Sequence, residues 1–180
     1  MSTDTSSVLK SEAPSHEIII ASSLAERQQC LDIRIEVFHR EQKFPLETEI
    51  DDLEDQATHF LLRLIPSLTP IGTIRGFRVP NKSYYKLTRL AILKDYRKYR
   101  LGRELVLALH NWVMQDCHNH TEDTASENPR TTPSPTTVDI VTHSQLYIKP
   151  FYAKFGYEPE GDEFDEDGDP HQKMVLRLPV

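Results

Sequence analysis

The stretch from Tyr85 to Trp112 constrains the fold most. An apolar run, Leu87 to Leu93, leads into a basic turn, Lys94-Asp95-Tyr96-Arg97-Lys98-Tyr99-Arg100-Leu101-Gly102-Arg103, and the turn leads into a helical pattern. Leu101, Leu105, Leu109 and Trp112 recur at intervals of four and three, Val106 and Val113 widen the stripe, and Arg103, Glu104, His110 and Gln115 fall largely elsewhere. That spacing predicts a helix with one buried face. A strand feeding a cationic turn that opens a helix is the order an anion site needs. The first helical turn offers about four unbonded N–H groups and roughly half a unit of positive charge. Arg97, Lys98, Arg100 and Arg103 add charge, and Gly102, lacking Cβ, lets phosphates approach the backbone. A surface helix with a solvated basic collar is the competing reading.

The 180 residues suit one domain, burying about two thirds of the unfolded surface. A net charge of -7 disfavours a general nucleic-acid binder, and the basic turn is too local to reverse that. Cys30 and Cys117, the only cysteines, are too few for a disulfide scaffold and lack metal-ligand spacing, which fits a reducing compartment. Met1 to Ser15 has no apolar segment of a secretory signal, and no run approaches the ~18 apolar residues of a membrane span. The expected location is cytoplasmic, with the nucleus as the other such compartment.

Along the chain, residues 1–16 carry little apolar surface and read as a flexible tail ahead of a single domain at 17–180. Glu17 to Ala21 reads as a strand. Ser23 with Glu26 makes a capping-box pattern for a helix expected to bury Leu24, Leu31, Ile35 and Phe38. An acidic stretch follows Phe44-Pro45. Strands are expected at Thr58 to Ile65, at Ile71 to Val79 with Gly72 and Gly76 on the face opposite Ile71, Thr73, Arg75 and Phe77, and at Tyr84 to Leu93. The helix after the basic turn should end near Cys117. Residues 119–137, rich in Thr, Ser, Pro and Glu, read as a low-complexity insertion. Val138 to Thr142 resumes as a strand, and Tyr147 to Phe155 as a helix that Pro150 kinks or begins. A last pair of strands, at Tyr157-Glu158-Pro159 and Lys173 to Leu178, flanks an acidic loop from Glu160 to Asp169.

Arg97-x-x-Arg100-x-Gly102 resembles the Gln/Arg-x-x-Gly-x-Gly/Ala signature of the GNAT superfamily, the acetyl-CoA-dependent N-acetyltransferases, and follows a strand as it does there. Arg100 stands where that family usually has its first glycine, so the loop is expected to keep an ordinary φ at this point. Val37-Phe38-His39-Arg40-Glu41-Gln42-Lys43-Phe44-Pro45, followed by Glu47, Asp51, Asp55, Ala57 and His59, is similar to the ElaA-like branch. So are Gln145, Pro150-Phe151-Tyr152, Phe155-Gly156-Tyr157 and Phe164-Asp165-Glu166-Asp167-Gly168-Asp169-Pro170-His171.

The resemblance implies an α/β (α+β) fold, a mixed, mostly antiparallel central sheet flanked by helices. It implies acetyl transfer from acetyl-CoA to a primary amine by direct attack in a ternary complex. Leu90, Ala91 and Ile92 would pair their backbone with the pantetheine of coenzyme A. Arg97, Lys98, Tyr99, Arg100, Leu101, Gly102 and Arg103 would hold the pyrophosphate, and Gln145 and Lys149 the far side of the cofactor. Tyr152 would serve the departing thiolate, since a phenol can protonate it; an ordinary core tyrosine is the alternative.

His59 and His143 are candidates for deprotonating the amine, because imidazole titrates close to neutrality; rings hydrogen-bonded to backbone are the alternative. Glu49 and Asp51 are read first as contacts for a substrate ammonium and second as bases. Together with the segment from Glu160 to Asp169 they point to a cationic small molecule such as a polyamine or aralkylamine. His39, His59, His143 and His171 match no local metal signature, so no metal is expected. The expected partners are a small-molecule amine, with no nucleic acid and no membrane, for a monomer or homodimer. Two rivals remain: a non-catalytic acyl-CoA-binding or interaction module, and a protein or peptide N-acetyltransferase.

Overall fold

The computed structural model describes residues 12–127 and 137–179. Most of the expected tail lies outside them, and His16 already belongs to the first strand. The elements are β1 (His16–Ile20), α1 (Leu24–Arg34), β2 (Thr58–Leu64), β3 (Pro70–Arg78), β4 (Tyr84–Ile92), α2 (Leu101–Glu127), β5 (Thr137–Gln145), α3 (Lys149–Ala153), β6 (Glu158–Glu166) and β7 (Asp169–Pro179). A π-helical segment, Ile35–Glu41, extends α1, and 3₁₀ turns occupy Leu46–Thr48, Lys94–Tyr99 and Leu146–Ile148. The seven strands form one sheet in the order β1-β2-β3-β4-β5-β7-β6. Every neighbouring pair is antiparallel except β4 with β5. This is the mixed, mostly antiparallel sheet flanked by helices that the sequence implies.

Each face of the sheet buries one helix stripe. On one, Leu101, Leu105, Val106, Leu109 and Val113 of α2 pack with Phe60, Leu62, Ile74, Tyr85 and Leu87. Trp112 sets its edge against Tyr85, with ring centroids 5.7 Å apart. On the other, Cys30, Ile33 and Val37 pack with Leu61 and Ala91. Gly76 lets α2 come close: a Cβ there would lie 2.8 Å from Leu109 Cδ1 and 3.2 Å from Trp112.

α1 starts on the expected capping box, in which Ser23 Oγ accepts from Glu26 N (3.2 Å) and Glu26 Oε2 accepts from Ser23 N (3.0 Å). Its buried face differs from the expected one. Leu24 is 86% exposed, and the sheet-facing positions are Cys30, Ile33 and Val37, with Arg34 fully buried beside them. A cysteine and an arginine on the inner face hid that stripe from an apolar count. α2 also runs farther than expected, to Glu127. No proline or glycine interrupts His118 to Glu127, so nothing stops the helix once the packed turns have nucleated it. The first part of the expected insertion is therefore helical, and residues 128–136 lie outside the described residues.

The expected acidic loop from Glu160 to Asp169 is mostly the strand β6, paired with β7 from Glu158↔Val175 to Glu166↔Asp169. Asp167 (φ 56°) and Gly168 (φ 84°) make the two-residue turn between them, the left-handed pair a tight hairpin prefers. An edge strand this charged repels further strand pairing. Among the described residues no helix is long and apolar enough to cross a membrane.

Candidate active site

The parallel pair β4–β5 is hydrogen-bonded only over Tyr84↔Asp139, Tyr85↔Ile140 and Lys86↔Val141. Beyond Lys86 the strands diverge, and a cleft of about 1080 Å³ opens between them. β4 is bulged in this stretch. Thr73 of β3 faces Ala91 and Arg75 faces Thr88, so three steps on β4 oppose two on β3, and Arg89 takes φ 56°. Backbone groups of β4 beyond Lys86 thus face the cleft without a strand partner, an edge a ligand's amides can join.

At the far end of β4 the basic turn closes the cleft. Arg97, Arg100, Gly102 and Arg103 line it, together with Leu90, Ala91 and Ile92. Arg100 does not keep an ordinary φ: it takes the left-handed conformation, φ 61° and ψ 21°, immediately before α2. The backbone shape a glycine would supply is therefore kept, at the steric cost of a Cβ in the left-handed region. At the start of α2, Arg103 N donates to the Arg100 carbonyl (3.0 Å), and the first turn of a helix presents N–H groups that can donate to an anion. Arg97 is already engaged. Its Nε donates to the Ile92 carbonyl (2.9 Å), and Nη1 and Nη2 pair with Glu41 (2.5 and 2.7 Å). Three other expected pyrophosphate contacts lie off the cleft: Leu101 is fully buried in the core, Tyr99 packs on that core, and the Lys98 ammonium sits 5.0 Å over the Tyr99 ring.

The opposite wall comes from β5, α3 and the β6–β7 hairpin. Thr142, His143, Gln145, Tyr152, Glu166 and His171 line it. Tyr152 is 6% exposed, and burial pushes its phenol up to about 12, the Thr142 hydroxyl beside it offsetting part of the rise. His143 Nδ1 and Glu166 Oε1 are 2.9 Å apart, and the imidazole stands edge-on to Phe164 at 4.9 Å. The His143 partner holds the Glu166 carboxyl below the usual carboxylate range. Gln145 bridges to Gln42 (3.3 Å) across the cleft mouth, whereas Lys149 turns away to Gln172 (3.1 Å).

His59 is not part of the cleft wall. It is 1% exposed on β2, with Nε2 at 3.0 Å from the Glu54 carbonyl, and burial pushes its pKa down. Glu49 and Asp51 do line the cleft, yet both are ion-paired. Glu49, 2% exposed, lies 3.3 Å from Arg34 Nε, and Asp51 takes Arg75 Nη1 and Nη2 at 2.9 and 2.7 Å. Sequence reasoning missed Arg75, Arg89 and Glu166. Arg75 and Arg89 sit in β-patterned runs where a charged residue reads as solvent-facing. Glu166 could have been placed by the Asp167-Gly168 hairpin signal beside it. Among the described residues no cluster of His, Cys, Asp and Glu could hold a metal ion.

A strand pair splayed beside a left-handed turn and a helix N-terminus can take an elongated anionic ligand, and comparison with known proteins gives the family. Residues 25–178 match the family model described as an acetyltransferase (GNAT) domain. The chain belongs to the GNAT acetyltransferase family. This GNAT chain is 33% identical to the uncharacterized protein YyaT of Bacillus subtilis, over 86% of its own length and 90% of the relative's. It superposes on a Lactobacillus plantarum protein provisionally described as an N-acetyltransferase, with TM-score 0.71 and 28% identity, covering 91% of this chain and 99% of the other. Escherichia coli ElaA shares the fold, with TM-score 0.63 at 19% identity, over 89% of this chain and 97% of the other.

Proposed function

We propose that this GNAT protein transfers an acetyl group from acetyl-CoA to a primary amine by direct attack in a ternary complex. The observation that carries the reading is the divergence of β4 from β5 after Lys86, which leaves a bulged backbone edge running towards Arg100 and the start of α2. These residues fit the cosubstrate: Leu90 to Ile92 would pair with its amides, and Arg100, Gly102 and Arg103 would face its phosphates. The thioester supplies the activated acetyl group.

The chain's own residues supply the proton handling. His143, held by Glu166, takes the proton from the attacking amine. Tyr152, which keeps its proton at neutral pH, donates a hydrogen bond to the departing sulfur. The cationic character expected of the acceptor is supported at the cleft edge by Asp167 and by Glu166, the latter shared with His143, because Glu49 and Asp51 are already matched by arginines.

Thermal unfolding with and without acetyl-CoA tests the cosubstrate site. A ligand at ~100 times its dissociation constant adds about 2.7 kcal/mol to the native state, so the wild-type midpoint should rise by several degrees. An Arg100→Glu, Arg103→Glu variant should lose that rise; Arg97 is spared because it also holds Glu41. No rise in the wild type would overturn the reading. Tyr152→Phe should keep the rise and lower kcat by about 10²-fold.

A further inference from the structure

Three arginines and three carboxylates meet under one wall of the cleft, and their hydrogen bonds are shared unequally. Arg34 Nε lies 3.3 Å from Glu49 Oε2, and its Nη1 lies 2.7 Å from Glu54 Oε1. Arg75 binds Asp51 through both Nη atoms, Glu54 Oε2 at 2.8 Å and Thr88 Oγ1 at 3.0 Å. Arg89, on the β4 bulge, hydrogen-bonds none of these carboxylates. Its nearest approaches are 3.6 Å to Glu49 Oε2 and 3.7 Å to Asp51 Oδ2, from carboxylates already bonded to the other two arginines. Its Nη2 donates to the Thr48 carbonyl (2.5 Å), and its buried Nε has no acceptor.

A buried guanidinium N–H without an acceptor is costly, and a carboxylate is the group whose geometry matches the guanidinium fork. Arg89 lines the cleft with 24% of its side chain exposed, so a ligand's carboxylate can reach the open end of the guanidinium although Nε itself is buried. Burial chiefly pushes Arg89 below its ordinary value, with Glu49 and Asp51 opposing the fall and Arg75 adding to it; burial likewise lowers Lys86, another cleft cation, against Glu166.

We infer that the acceptor amine also carries a carboxylate, as an amino acid does, and that Arg89 binds it. This rests on the acetyl-transfer reading. The ammonium end of such a zwitterion would face Glu166 and Asp167, and the carboxylate end the β4 bulge.

The test uses matched amines that differ only by the carboxylate, phenylalanine against phenethylamine and leucine against isopentylamine, with acetyl-CoA and the full chain. Rates are referred to the concentration of neutral amine, because the carboxylate changes the basicity of its neighbour. The wild type should favour the carboxylate member by tenfold or more in kcat/KM. Arg89→Gln should reduce that ratio towards one, chiefly through KM of the carboxylate member, and Arg89→Lys should retain part of it. Equal or reversed preference in the wild type overturns the inference alone, as does an Arg89→Gln variant that slows both members alike. If Arg89→Gln does not fold, the wild-type ratio and Arg89→Lys decide. Turnover with no amine overturns the acetyl-transfer reading as well.

Discussion

Arg100 carries the sharpest single-residue prediction. Its left-handed φ costs about 1–2 kcal/mol against an ordinary conformation, and glycine avoids that cost while adding freedom to the unfolded chain. Arg100→Gly should therefore stabilise the protein by about 0.5–1 kcal/mol in urea unfolding. The residue type at position 100 was legible in the sequence, but its φ was not, because a left-handed arginine is chosen by the turn around it. His110 gives a pH prediction. It is buried on α2, 2.9 Å from the Tyr157 hydroxyl, and burial pushes its pKa down to about 4. The unfolded chain takes up this proton near pH 6.5 and the folded chain only near pH 4. Stability is thus fully present above pH 6.5 and falls as the pH drops through that window. Between pH 7 and pH 5 the wild type should lose about 2 kcal/mol more than His110→Gln, as compared by urea unfolding at each pH.

At the scale of elements, spacing and caps were legible where their physics is local. The α2 stripe and the Ser23–Glu26 capping box are found as the sequence indicates, and Ser23→Ala should cost about 1 kcal/mol by thermal unfolding. Gly76 decides how closely α2 meets β3. Gly76→Ala should cost about 1–3 kcal/mol in the same measurement, because its Cβ would fall 2.8 Å from Leu109 Cδ1. β6 was illegible for the opposite reason. An edge strand with eight polar or turn-forming residues around Phe164 has no apolar alternation to read, and its pairing with β7 makes it a strand. The Asp167-Gly168 turn was the one local clue.

Across the whole molecule, the ion-pair cluster ties α1, the segment from Leu46 to Gln56 and the sheet together. Arg34 is fully buried between Glu49 and Glu54, and removing it would leave Glu49 buried without its closest cation. Arg34→Met should cost about 3–5 kcal/mol, read from the urea midpoint. The sequence by itself determined the strand–turn–helix core, the packed face of α2 and the position of the basic turn, because hydrophobic periodicity and turn chemistry act over a few residues. Only the tertiary structure decided the rest of the site: that Glu49 and Asp51 meet arginines, that His59 is buried against Glu54 while His143 meets Glu166, and that Arg89 faces the cleft. Those outcomes depend on which distant segments the sheet brings within hydrogen-bonding distance, and no local pattern records that.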